Sequence, residues 1–251
     1  MEEAISVIPA ATIMLMCDGE NGLEVLLLRR NQKAGFAPGA YVFPGGRVDA
    51  ADSEIAILDR IDSLTSKEAA LRLELTDGQP SGIAYYVAAV RETFEETGIL
   101  IAVSTDGSAP PTTAENQGVR ALRKALIRGV ISFKDILVKL DCRLDGSAMQ
   151  YAAHWITPVT WPVRFDTRFF AAQLTSKREC TVDTREITEG LWITPNNAIS
   201  RHEAGNLPML LPTITMLERL STYEQTEEAL GALAKEQARL TRSSRPPYMR
   251  R

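Results

Sequence analysis

The sequence predicts an α/β domain built around a sheet with helices packed on it. Three observations carry that expectation. Two apolar runs, residues 5–17 and 23–30, are separated by the turn signal Asp18-Gly19-Glu20-Asn21-Gly22. A helix following Ser81 has two sides of opposite chemistry. Beyond it, strand-like and helix-like patterns alternate to about Leu220. At 251 residues the chain fits one elaborated domain.

Composition narrows the function classes. A hydrophobic fraction of 45% and a charged fraction of 24% are ordinary for a soluble globular protein. A net charge of -4 offers no global attraction to nucleic acid, so no nucleic-acid partner is expected and phosphate recognition rests on local basic clusters. Cys17, Cys142 and Cys180 are far apart, which fits a reducing compartment and argues against a disulfide framework or a zinc site. The start Met1-Glu2-Glu3 lacks the basic residues of a secretion signal, and no apolar run is long enough to span a bilayer. A cytoplasmic protein without a membrane partner is expected.

Taken in order, residues 5–17 and 23–30 form a hairpin at the centre of the sheet. Residues 31–39 are a loop, with Arg29, Arg30 and Lys33 at its entrance; these cations either contact phosphate or snorkel from a solvated strand end. Tyr41-Val42-Phe43 is a short strand halted by Pro44-Gly45-Gly46, where glycine permits close approach to a ligand. Residues 53–80 hold helical pieces such as 66–73 and end in the breaker cluster Asp77-Gly78-Gln79-Pro80. Ser81 is the N-cap of the next helix.

In that helix Ile83, Val87, Val90 and Phe94 fall within roughly 40° of one line, whereas Glu95, Glu92 and Glu96 lie roughly 120°, 180° and 220° away. Ala88 and Ala89 share the carboxylate side and are expected to leave room for a metal or substrate. Gly98 ends the helix, and 99–103 starts a strand. A polar loop over 104–118 leads to helices near 118–129 and 132–140, the second capped by Ser132 with Asp135. Strands follow near 152–157, 167–174 and 187–193, then helices opened by Thr194-Pro195 and contained in 207–220. Residues 1–236 read as one domain, with 53–80 inserted and 237–251 as a basic, flexible tail.

Glu92, Glu95 and Glu96 stand at i, i+3 and i+4, on one helix face. Such like charges destabilise a helix unless something compensates. A solvated acidic face is the bland account; a hard divalent cation with oxygen ligands is the chemical one.

These residues resemble a known motif. Gly46, Asp52 and then Arg91-Glu92-Thr93-Phe94-Glu95-Glu96-Thr97-Gly98-Ile99 resemble the Nudix box, G-x5-E-x7-R-E-U-x-E-E-x-G-U with U aliphatic. Asp52 stands for the usual Glu, Thr93 for an aliphatic residue, and residues 53–90 fill the place of seven. A box interrupted here is similar to the Nudix motif 19 branch, as are 25–30, 42–46, 164–170 and 190–195. The resemblance implies an α/β/α sandwich around a mixed sheet, with a helical insertion in the box and extra C-terminal helices. It implies Mg2+ or Mn2+ as cofactor and a small nucleoside diphosphate as substrate, with a homodimer expected from the family. By the same resemblance Glu95, Glu96 and the Gly46 carbonyl hold the metal, Glu92 is a ligand or general base, and Arg91 orients the carboxylates. Gly45, Asp52 and Gly98 support the site. Glu186 and Glu189 are the nearest candidates for a later assisting carboxylate, and Arg29, Arg30, Arg164 and Arg168 for phosphate contacts. The branch implies cleavage of coenzyme A or acyl-coenzyme A to 3′,5′-ADP and a phosphopantetheine. Hydrolysis of ADP-ribose, NADH or a nucleotide sugar is the alternative within the class, and a non-catalytic nucleotide-binding domain lies outside it.

Overall fold

A computed structural model describes residues 7–182 and 185–243. Strand β1 (Val7–Gly19) turns into β2 (Gly22–Arg30), and the short strands β3 (Tyr41–Val42) and β4 (Gly45–Arg47) follow. A 3-10 turn (Ala50–Ser53), α1 (Ile55–Leu58), β5 (Ile61–Asp62) and α2 (Ser66–Arg72) precede the long helix α3 (Gly82–Thr97). Then come β6 (Val103–Ser104), α4 (Gln117–Ile127), α5 (Phe133–Lys139), β7 (Cys142–Asp145), β8 (Gln150–Ile156), β9 (Arg164–Gln173) and β10 (Ile187–Ile193). Helices α6 (Pro195–Glu203), α7 (Leu211–Leu220) and α8 (Thr226–Ser243) complete the described chain.

The main sheet runs β10-β2-β1-β9-β8, with β3 beside β2 and β4 beside β1. Strand β1 pairs antiparallel with β2 and β4 but parallel with β9, so the sheet is mixed. Its residues Ile13–Cys17 are wholly buried because both faces of the central strand are covered, as an uninterrupted apolar run requires. One face packs α2, α3, α4 and α5; the other packs α6, α7 and α8. The expected sandwich is therefore present. Among the described residues no helix is long and apolar enough to cross a membrane.

Several local expectations needed correction. Pro44-Gly45-Gly46 does not halt a strand: Gly45–Arg47 form β4, paired with Ala10–Thr12. Gly45 has φ +152°, and a Cβ there would sit 2.3 Å from the Ala11 carbonyl oxygen, so only glycine brings the chains this close. Residues 99–102 are not strand. Gly98 adopts φ +74°, the Ile99 amide donates to Thr97 Oγ1, and Ile99 and Leu100 are buried as coil. Ala88 and Ala89 leave no room, since both are fully buried in the core under α3. A domain boundary at 237 falls inside α8, which continues to Ser243; residues 244–251 lie outside the described residues.

The insertion is tied down on two sides. Strand β5 joins β7 and β6 in a second, three-stranded sheet, not foreseen because its strands are two to four residues long. Helix α2, started by a Thr65–Glu68 capping box, lies against the first turn of α3. A Cβ on Gly82 would be 2.3 Å from the Ala70 amide nitrogen and 2.5 Å from the Ala69 carbonyl carbon. Gly82→Ala is accordingly expected to destabilise the protein by about 1–3 kcal/mol through overpacking. Urea midpoints test this, and an unchanged midpoint would mean that the two helices do not bear on each other there.

Candidate active site

Both halves of the split motif arrive at one guanidinium. Asp52 closes the 3-10 turn at 1% exposure, and its two oxygens accept from Arg91 Nε and Nη2, each at 2.9 Å. Nη2 also donates to the Arg47 carbonyl at 2.8 Å and lies 3.5 Å from Asp49. Nη1 donates to Glu92 Oε1 at 2.9 Å and Glu95 Oε1 at 3.3 Å. The planar fork of Arg thus spreads one charge over four carboxylates and a carbonyl, which lysine could not match. Arg91 is hydrogen-bonded to Glu92 and Glu95, and Asp52 is its buried bidentate partner. Asp49 was missed by sequence.

The remaining groups fit around this pair. The Gly45 amide donates to Glu96 Oε2 at 3.0 Å. A Cβ on Gly46 would stand 2.4 Å from Glu92 Cδ, so the bare backbone of β4 is what admits that carboxylate. Thr93, at the position where the motif has an aliphatic residue, is fully buried and donates its hydroxyl to the Ala89 carbonyl at 2.7 Å, which satisfies the polar atom locally.

Burial dominates the electrostatics. It pushes Glu92 up to about 7, against the pull of Arg91's charge and with Glu95 adding to the rise. Glu95 is also raised by burial, again opposed by Arg91. Burial drives Glu96 well above the usual carboxylate range, and the Glu92 charge adds to it. The Gly45 amide and the Arg30 charge pull Glu96 back, whereas Glu186 pushes it further up.

That last relation separates the candidates. Arg30 shares the strand face of Leu26 and Leu28, and both it and Glu186 lie near enough to Glu96 for their charges to act on it; Arg30 Nε donates to the Phe36 carbonyl at 2.9 Å. Arg29 and Glu189 face the opposite core: Glu189 Oε2 accepts the Tyr41 hydroxyl at 2.8 Å and lies 4.0 Å from Arg29, whose guanidinium sits over the Tyr41 ring. A one-residue step along a strand reverses the face, which explains why adjacent arginines diverge. Arg168 is not a phosphate contact. It is 2% exposed, pairs with Asp166 at 3.5 Å and lies over Tyr85, seven residues before Glu92 and so about 10 Å back along α3. Arg164 donates to the Thr157 carbonyl at 3.0 Å, opposite Val7.

Sequence reading also missed Arg123. It is 6% exposed on α4 and donates to the Glu95 carbonyl from Nε and Nη2, at 3.0 and 2.7 Å. The signal was legible in principle: an arginine stands between Val119 and Leu126 in the buried stripe of an amphipathic helix.

Cation chemistry is testable on the donor set. Three glutamates and an adjoining backbone carbonyl are hard oxygen donors, as a small divalent ion prefers. As oriented, however, no group of three or more His, Cys, Asp or Glu among the described residues is arranged to hold a metal. Glu92 and Glu95 lean on Arg91, and Glu96 on the Gly45 amide, so ligation requires side-chain rotation. The donors fit, and the rotamers would have to change.

Comparison with known proteins follows the same lines. The family model for the NUDT19 Nudix domain matches residues 1–220. The chain is 27% identical over 233 residues to the Xenopus laevis acyl-coenzyme A diphosphatase NUDT19, covering 82% of this chain and 61% of that protein. With the Gallus gallus protein of the same name it shares 30% over 237 residues, covering 82% and 63%. The chain therefore spans about three-fifths of the length of these relatives. A crystal structure of a Nudix hydrolase from Alicyclobacillus acidocaldarius superposes with a TM-score of 0.75 at 27% identity, covering 91% of this chain and 97% of that one. A split box closed by Arg91 on Asp52, within a matching sandwich, makes this chain a member of the Nudix hydrolase family, in the branch described by the NUDT19 Nudix domain.

Proposed function

We propose that the protein is a metal-dependent Nudix diphosphatase acting on coenzyme A or its acyl esters, releasing 3′,5′-ADP and a phosphopantetheine. The observation that carries the catalytic part is the convergence of Asp52, Glu92 and Glu95 on Arg91, with Glu96 held by the Gly45 amide. A domain that only bound nucleotide would have little use for three mutually repelling glutamates on one helix face, one buried and two partly buried. The substrate part is supported by the names of the relatives, acyl-coenzyme A diphosphatases in both species compared.

In this reading Glu92, Glu95, Glu96 and the Gly46 carbonyl hold the divalent cation, Mg2+ or Mn2+. When bound it neutralises charge on the bridging diphosphate and lowers the pKa of a water. The chain's own residues do the rest. Arg91 holds Glu92 and Glu95 at a fixed spacing while Asp52 keeps the guanidinium in plane. Arg30, a cation whose charge acts on Glu96, contacts phosphate; Glu186, whose charge also acts on it, is the assisting carboxylate. Because phosphoryl transfer depends chiefly on positioning and electrostatics, these groups suffice without a covalent step on the protein. A cytoplasmic location belongs to the same proposal, supported by three free cysteines.

Incubation with coenzyme A, ADP-ribose and NADH, with Mg2+ or Mn2+ and chromatography of the products, tests the substrate. Coenzyme A is expected to turn over best; preference for ADP-ribose or NADH would replace the substrate, and turnover of none would favour the non-catalytic reading. Glu96→Gln keeps an acceptor for the Gly45 amide but removes a charge that burial and Glu92 oppose. It is expected to raise stability by about 1 kcal/mol while lowering kcat/KM at least about 100-fold. Thermal melts beside kinetics check the two together, and a parallel fall of both would contradict the charge argument. Gly46→Ala should cost about 100-fold in kcat/KM by displacing the Glu92 carboxylate, with an unchanged far-UV spectrum.

A further inference from the structure

Arg123 does something that ending a helix does not require. Carbonyls in the last turn of a helix lack an N–H ahead of them. At the end of α3 they are closed one by one: Phe94 by the Gly98 amide and Thr97 by the Thr181 amide. The Glu95 carbonyl would take the Ile99 amide in a continued helix, but Gly98 turns left-handed and that amide goes to Thr97 Oγ1. Arg123 fills the place with two donors and a full charge. Gly98 already terminates the helix, so a buried guanidinium is not needed for that purpose. A cation is favourable at a helix C-terminus, and here the C-terminal turn carries two of the three glutamates.

We propose that Arg123 is a positioning residue for the metal site. Its fork on the Glu95 carbonyl sets the pitch of the last turn of α3, and with it the angle at which Glu95 and Glu96 present their oxygens to a divalent cation. Arg91 holds Glu95 from its carboxylate; Arg123 holds it from the backbone behind. Two arginines on two elements thus hold Glu95, Arg91 at its carboxylate and Arg123 at its backbone carbonyl. The activity arm of this inference rests on the diphosphatase reading; the metal-binding arm does not.

The test compares Arg123→Met, which keeps the stem and removes both donors and charge, with Arg123→Lys, which keeps the charge and one donor at a time. Three quantities are measured on the full chain: Mn2+ affinity by electron paramagnetic resonance, kcat and KM for coenzyme A, and the thermal midpoint. Arg123→Met is expected to weaken Mn2+ binding several-fold and lower kcat about 10- to 100-fold, with KM within about twofold. Arg123→Lys is expected to recover a substantial part of both losses. Wild-type Mn2+ affinity and kcat in Arg123→Met would overturn the proposal, as would equal impairment of the two variants, which marks a packing role only. If Arg123→Met does not fold, Arg123→Lys decides alone: a reduced kcat with an unchanged midpoint supports positioning, and full activity overturns it. Absence of turnover in the wild type would sink the diphosphatase reading, and the Mn2+ arm would still decide the role of Arg123.

Discussion

The ion pair between Arg91 and Asp52 is the interaction on which the rest of the site depends. Both groups are almost fully removed from water, Asp52 at 1% exposure and Arg91 at 7%. Breaking such a pair by removing one partner typically costs about 3–5 kcal/mol, because the other charge is left buried alone. The bidentate geometry also fixes the guanidinium plane, and the remaining N–H groups can then reach Glu92, Glu95 and the Arg47 carbonyl at once. A turn 39 residues upstream and a helix are joined into one site by this ion pair, with the Arg47 carbonyl and the Gly45 amide adding to the junction.

That arrangement explains how the motif survives interruption. Closing a longer loop costs little extra entropy, since each doubling adds only about 0.6 kcal/mol. The insertion also contributes contacts of its own through the β5–β7 pairing and the close approach of α2 to Gly82. The distance between the halves in sequence therefore matters far less than the fit of Asp52 to Arg91. On the other side, the glutamates sit under electrostatic stress, with Glu92 pushed up to about 7 and Glu96 also raised well above the usual carboxylate range by burial. Stress of this kind, local to one helix turn in an otherwise consistent fold, is the usual mark of a functional site.

Elements with a strong local signal were legible in advance. The β1–β2 hairpin follows from its turn residues and α5 from the Ser132–Asp135 capping box, and the strand expected over 187–193 is β10. The two-sided chemistry of α3 followed from spacing alone, although its opposite side proved to be packed rather than open at Ala88 and Ala89. Elements of two to four residues, β4 through β7, carry too little pattern to be read without their partners. The fate of each basic residue was equally illegible. Arg29 and Arg30 differ only in strand face, and Arg168 lies under the sheet because Asp166 and Tyr85 are there to receive it.

By itself the sequence determined the α/β class, the identity of the carboxylate helix and the pairing of its motif with an upstream glycine turn. The first two are consequences of periodicity, turn chemistry and residue type, which act over a few neighbours along the chain; the third came from the resemblance to the Nudix box. Only the tertiary structure decided that Asp52 and Arg91 meet, that Glu189 accepts the Tyr41 hydroxyl, and that Arg123 closes the Glu95 carbonyl. Each of these is a contact between residues far apart in sequence. The register of strands and the crossing of helices, which create such contacts, arise from packing of the whole core.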